Sequence, residues 1–379
     1  MGRWLERLKS DPTPWLQEKA CPSIRYRTLT EIHGRPEDDP DVVAVRQEVY
    51  KYKPPHTIST GQNDDGTWHR SLDGFEAVNN IKGKGPGTTV QFHALLEYGW
   101  DRDHPIMWRT IQLLQAMLFE DPSIDLMELK GYCGGDASVE QWLRKRLSSK
   151  ALALLCRCGL SDDPGVRHLT GPFLARVEAF YAGDPAGAMY CGEYEREIET
   201  PDGPDVEVFQ KISPDAVYPD RCLMMVFAHH QGLKNDPRAR AVLENVVSYM
   251  FEHPNPEKEG VFVGGKFFER DQDFGIRRLE RKDYEERKLL GQLLQDLELL
   301  ARCGVLESVP RAVELLEWVI SLQDDEGVVQ GDAFIEKTFN RVDYPYFPLE
   351  DNWRGKHKKF TDITFRLFLI LSILDSDTP

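Results

Sequence analysis

Cys156–Pro164 reads CRCGLSDDP: a run with helical spacing closes on glycine, a few polar residues follow, and proline opens the next run. The chain repeats this arrangement in HGRPEDDP (His33–Pro40), YGWDRDHP (Tyr98–Pro105), QGLKNDP (Gln231–Pro237) and CGVLESVP (Cys303–Pro310). Glycine after a helix takes the left-handed cap position. Proline suits the first helical turn, where its missing N–H would have no partner anyway. In three copies an aspartate (Asp39, Asp163, Asp236) stands directly before the proline, where its carboxylate can cap the new helix. Each copy is therefore a tight helical hairpin. The glycines recur every 60 to 73 residues, so one architecture is repeated along the chain.

Working outward, SIRYRTLTEIHG pairs with DVVAVRQEVY, Gly83–Gly99 with Pro105–Phe119, and Arg146–Gly159 with Pro164–Tyr181. Arg221–Gly232 pairs with Pro237–Phe251, and Arg287–Gly304 with Pro310–Leu322. Phe360–Leu374 is a last apolar helix, and the N-terminal helix can supply its partner. The glycine-ended helices, such as ALALLCRCG and LLQDLELLARCG, are apolar over most of their circumference, whereas the proline-started ones are amphipathic. An inner and an outer ring would show this difference. The expectation is an all-α fold, an (α/α)6 barrel or toroid. It forms one domain over residues 1–379, with residues 1–20 as a helical extension packing against the last inner helix. Links from inner to outer helices run about four to six residues; those from outer to inner run on the order of 25–40, a length that usually marks binding or catalysis. The long links should gather at one end and build the site there.

The hydrophobic content, 41% of 379 residues, is enough for a substantial core, and the net charge of −16 argues against nucleic acid or an anionic membrane as partner. MGRWLERLKSDPTPW lacks the apolar core of a signal peptide. The apolar run Ile363–Leu374 is too short to span a bilayer and carries Arg366, so no transmembrane segment is expected. Seven cysteines without framework spacing fit a reducing, cytoplasmic setting.

Two links carry a recognisable phrase, GQNDDGTW (Gly61–Trp68) and SLQDDEGVV (Ser321–Val329). They resemble the glutamine–aspartate–glycine–tryptophan repeat of squalene cyclases and protein prenyltransferases. GPGTTVQFHALLEYG and KFTDITFRLFLIL likewise resemble inner-helix repeats of bacterial proteins of that kind. The resemblance implies a helical toroid taking an isoprenoid or other apolar small-molecule substrate in its mouth. In such repeats Gln62, Asp65 and Trp68 tie helix ends together. The Asp-x-Asp-Asp acid phrase of the cyclases is missing, and Asp271 and Asp273 in ERDQDFG are the nearest catalytic candidates on the expected end. Paired carboxylates can raise one pKa and keep a proton available.

The prenyltransferase side of the resemblance implies zinc held by Asp-x-Cys and a histidine. Asp220 and Cys222 have that spacing, and the third ligand would be His357 before the last helix or Asp362 at its start. Zinc or magnesium is the cofactor so implied. Lys356 and Lys358 precede the same helix, where cations oppose the helix dipole unless an anion binds. Trp68, His69, Tyr132, Tyr190 and Trp353 would line the mouth, shielding carbocations or stacking on sugar rings. Three functions follow: a terpenoid cyclase or prenyltransferase relative, a carbohydrate-active (α/α)6 hydrolase or lyase, and a toroid that binds a ligand without catalysis.

Overall fold

Each of the five repeated prolines opens a helix: Pro40–Lys51, Pro105–Leu118, Pro164–Tyr181, Pro237–Glu252 and Pro310–Ser321. The carboxylates of Asp39, Asp163 and Asp236 accept from first-turn amides, as caps should. Gly34, Gly99, Gly159 and Gly304 follow their helices with φ of 60°, 84°, 77° and 67°, the left-handed region. The fourth copy differs: a short helix, Gln231–Lys234, runs through Gly232 and ends at Asn235.

The computed structural model describes residues 4–69, 71–72, 87–119, 133–200, 203–254, 256, 258–270, 274–331, 348–352 and 355–376. The chain divides into two compact units, one of Met1–Ala116, Leu126–Glu128 and Leu279–Pro379, the other of Met117–Asp125 and Leu129–Arg278. Among the described residues no helix is long and apolar enough to cross a membrane.

In the first unit the helices Leu290–Arg302 and Lys358–Ser376 pack against each other and are buried over most of their length. The backbone amides of Trp4 and Leu5 donate to the Asp375 carboxylate, at 2.7 and 2.8 Å, tying the N-terminus to the last helix. The two repeated phrases fold into the same turn. Asn63 N–H donates to Thr67 O at 2.8 Å and Asp324 N–H to Val328 O at 2.9 Å. Trp68 N–H reaches Thr88 Oγ1 at 3.0 Å, and Val329 N–H reaches Thr364 Oγ1 at 2.9 Å. Each turn is thereby fastened to a hydroxyl of a following helix. Gly66 cannot be replaced there without collision, since a Cβ would lie 2.8 Å from Arg109 O.

The second unit corrects the all-α expectation. Beside the helices Ala137–Arg157 and Arg221–His229 it holds a four-stranded sheet in the order β1 (Tyr190–Thr200), β2 (Gly203–Ile212), β3 (Glu259–Val263), β4 (Lys266–Arg270). Its successive pairings are antiparallel, parallel and antiparallel. Two of the links expected to be long loops, those between Tyr181 and Arg221 and between Phe251 and Arg287, therefore hold strands. The (α/α)6 toroid goes with the all-α expectation, and so do the terpenoid-cyclase and prenyltransferase labels that rested on it. The physical reason is period two. Tyr194, Arg196 and Ile198 are half-buried, whereas Glu193, Glu195, Glu197 and Glu199 between them are exposed. In the second hairpin Gly264 and Gly265 take φ of 56° and 73°, the two positive values that a tight primed turn requires.

Candidate functional site

That second turn sets a register. Counting back from the paired Val263 and Lys266, β3 and β4 place Glu259 directly opposite Arg270 on one face of the sheet. Glu259 also lies beside Gln210 of β2, in the middle of the sheet, and is 1% exposed. Tyr190, the first residue of β1, donates its phenolic O–H to Glu259 Oε2 at 2.9 Å. Tyr218, in the link to the helix Arg221–His229, donates to Oε1. The Arg270 guanidinium lies 3.9 Å above the Tyr218 ring, and its Nη2 pairs with Asp220 Oδ2 at 2.9 Å. Asp220 also accepts from Leu223 N–H as the cap of that helix.

Burial raises the Glu259 pKa above the usual carboxylate range, although the two phenols and the Arg270 and Arg277 charges work against the rise. Burial likewise raises both phenols, and the Glu259 charge adds to it, so Tyr190 and Tyr218 remain protonated donors. Arg277, 4% exposed, donates from Nε to Met250 O at 2.8 Å and from Nη2 to His253 O at 2.7 Å. The whole constellation lies within the second unit.

Of the residues singled out in the sequence, the structure brings Tyr190 and Asp220 into this cluster. Asp271 and Asp273 lie outside the described residues, as do Tyr132 and Trp353. Trp68 is 1% exposed and donates from Nε1 to Ile58 O at 2.6 Å, so it secures the turn. His69 beside it has φ of 56°. Lys358 pairs with Asp351, and its Nζ lies 4.0 Å from Glu350 Oε2, so its charge is already answered. Lys356 is exposed, and the His357 ring meets Trp15 edge-on at 6.1 Å. Cys222 and Asp220 belong to the second unit and His357 to the first. Among the described residues no group of three or more histidine, cysteine, aspartate or glutamate side chains is arranged to hold a metal ion.

Glu259 escapes a helical reading of the chain, yet GVFVGGKFFER carries a hairpin signal, a glycine pair between runs of alternating character. A depression of about 400 Å³ beside β2 is lined by Val206, Glu207, Val208, Gln210, Pro256 and Lys258. None of the phenols or guanidiniums lines it. The chemistry lies with the converging groups around Glu259.

The first unit holds buried carboxyls of its own. Glu350, 2% exposed, accepts from Cys21 N–H at 2.9 Å and Thr361 Oγ1 at 2.8 Å, and burial raises its pKa to about 7. Asp362 is fully buried nearby, accepting from Leu349 N–H at 2.7 Å and from Arg366 Nε at 3.1 Å. Asp362 is raised by burial, against the pull of Arg366. These groups fasten the segment around Leu349 and Glu350 to the last helix.

No family model, curated protein or solved structure matches this chain.

Proposed function

We propose that the chain is an acid–base enzyme, a hydrolase or lyase acting on a hydroxylated, carbohydrate-type substrate at the Glu259 cluster. One observation carries this reading: two phenolic hydroxyls from different segments converge on a single buried carboxyl. A carboxyl whose pKa is raised by burial keeps its proton closer to neutrality and can hand it to a leaving oxygen. Tyr190 and Tyr218 are half-buried and donate to the covered Glu259, which links the carboxyl to two less buried hydroxyl-bearing side chains. They are placed to pass the proton on and to hydrogen-bond a hydroxylated ligand. Arg270, fixed by Asp220 and by the Tyr218 ring, supplies a positive charge beside the position where negative charge develops.

The test is turnover of a polysaccharide panel, with new reducing ends reporting hydrolysis and the absorbance of a new C=C bond reporting elimination. Glu259→Gln should lower kcat by about a hundredfold or more, the usual contribution of a positioned acid. Tyr190→Phe should lower it less. Because the acid form does the work, kcat/KM should fall as pH rises through the elevated Glu259 pKa. Absence of wild-type turnover on the panel, or full activity in Glu259→Gln, would overturn the proposal.

A further inference from the structure

We infer that the edge of β2 between Pro204 and Val208 is a docking site for an extended, basic segment of another protein, which adds to the sheet as a strand beside β2. The inference is independent of the chemistry at Glu259. β3 pairs with β2 only at Gln210, Lys211 and Ile212. Beyond that pairing, Val206 and Val208 line the depression of about 400 Å³ together with Pro256 and Lys258. Gln210 N–H donates to Lys258 O at 3.0 Å, away from β1. Backbone direction alternates along a strand, so the Val208 and Val206 amides leave β2 on that same side. No residue of β3 is paired with them there. The Val206 N–H is met by the exposed Asp205 side chain at 2.8 Å, a contact that an incoming carbonyl can replace. Exposed edges are normally blunted by bulges or by charge. Here the register with β1 runs unbroken from Glu193 to Thr200, and the two residues with outward amides are valines, 49% and 45% exposed.

The neighbouring strand sets the partner's charge. Residues directly opposite each other in an antiparallel pair share a face. Glu195 stands opposite Val208 and Glu197 opposite Val206, with Glu193 and Glu199 next in the row, so a line of glutamates runs beside the exposed valines. Among the described residues no cation pairs with Glu195, Glu197 or Glu199. On the other face of the hairpin the charge is answered, since Glu207 pairs with Arg196 and, at 2.8 Å, with Lys258. A strand added beside β2 would stand about 5 Å from it and about 10 Å from β1. Lysine or arginine at every second position would lay an aliphatic stem across Val206 and Val208 and bring its charge to Glu195 and Glu197. A second copy of this chain suits the edge badly. It would bring its own glutamate row, and a further net charge of −16, to the same place.

Fluorescence anisotropy of the full chain with a labelled peptide of alternating lysine and threonine tests this. The peptide should bind saturably, and more weakly as salt rises. The same peptide with its backbone amides N-methylated keeps its charges but loses its main-chain donors, and should bind about tenfold more weakly or worse. Reversing two exposed charges together, Glu195→Lys with Glu197→Lys, should weaken the unmodified peptide by about tenfold or more. Val208→Pro removes an outward amide and should do the same. If Val208→Pro melts early, the comparison of the two peptides on the wild-type protein still decides. No saturable binding, equal binding of the two peptides, or binding unchanged by the glutamate reversals would overturn the docking site. So would a wild-type dimer in sedimentation that the peptide dissociates, since the edge would then belong to a second copy.

Discussion

Glu350 sits where ionisation is resisted. One amide and one hydroxyl donate to it, and the nearest ammonium, Lys358 Nζ, is 4.0 Å away and engaged by Asp351. Asp362 lies close enough to oppose a second negative charge. An ordinary glutamate in the unfolded chain titrates near 4.3, whereas Glu350 in the folded protein titrates at about 7. Between those values the folded state binds the extra proton, so Glu350's contribution to stability is fully present below about pH 4 and is lost as pH rises through 7. Urea unfolding should show this as a decline of a few kcal/mol between pH 4.5 and 7.5, superimposed on other groups, and Glu350→Gln should flatten that slope. Identical pH profiles for the two proteins would refute the assignment. Little of this is legible in the sequence, because the Cys21 amide that meets Glu350 is 329 residues away along the chain. A sequence shows which side chains can ionise. It shows poorly which of them distant segments will cover.

Helix ends are read from residues that act on their own neighbours, which is why the five glycine–proline links were largely legible. Gly159 takes φ of 77°, and Asp163, four residues on, caps the Pro164–Tyr181 helix through Gly165 N–H at 2.8 Å. Gly159→Val should destabilise by about 1 kcal/mol or more, since a β-branched residue resists the left-handed region. Asp163→Ala should cost about 1 kcal/mol. Thermal melts of the two single variants and the double variant check both, and an unchanged Tm for Gly159→Val would count against the cap. The strands are hidden in the sequence for a different reason. YCGEYEREIET and DVEVFQKI are dense in charge, with Phe209 and Ile212 buried but Val206 and Val208 exposed, so they read as polar links between helices. Period two was present, but the repeated hairpin pattern set the expectation for everything between the hairpins. The site was illegible to the same degree, because Glu259 meets Arg270 only once β3 and β4 are recognised as a pair.

At the scale of the whole chain the surplus is acidic, a net charge of −16, yet the core of the first unit is built around cations. Arg27, Arg302 and Arg366 meet Glu31, Glu97, Glu298 and Asp362 there. Arg27 Nη1 lies 3.0 Å from Glu97 Oε2, Arg302 Nε 2.8 Å from Glu298 Oε1, and Arg366 Nη1 3.5 Å from Glu298 Oε2. Arg302 Nη2 also reaches Glu31 at 2.6 Å. Burial alone would raise Glu31, but Arg27 and Arg302 outweigh it and hold its pKa down at about 2. Four segments each contribute partners four residues apart, Arg27/Glu31, His93/Glu97, Glu298/Arg302 and Asp362/Arg366. Such pairs share one helix face, and here those faces converge in the interior. Arg366 is 1% exposed, so removing it takes the guanidinium from the fully buried Asp362 and one of the cations shared by Glu97 and Glu298, which keep Arg27 and Arg302. Arg366→Met should therefore cost about 3–5 kcal/mol, the penalty for breaking a buried pair from one side. The loss should persist in molar salt, which screens exposed pairs far more than buried ones. Amide exchange should localise it to Thr88–Glu97, Leu290–Arg302 and Lys358–Ser376. A loss under 1 kcal/mol, or one erased by salt, would mean that these charges are solvated and that apolar packing alone holds the helices. The wild-type arrangement argues otherwise, since each guanidinium is placed between carboxylates from more than one helix and fixes which helices can be neighbours.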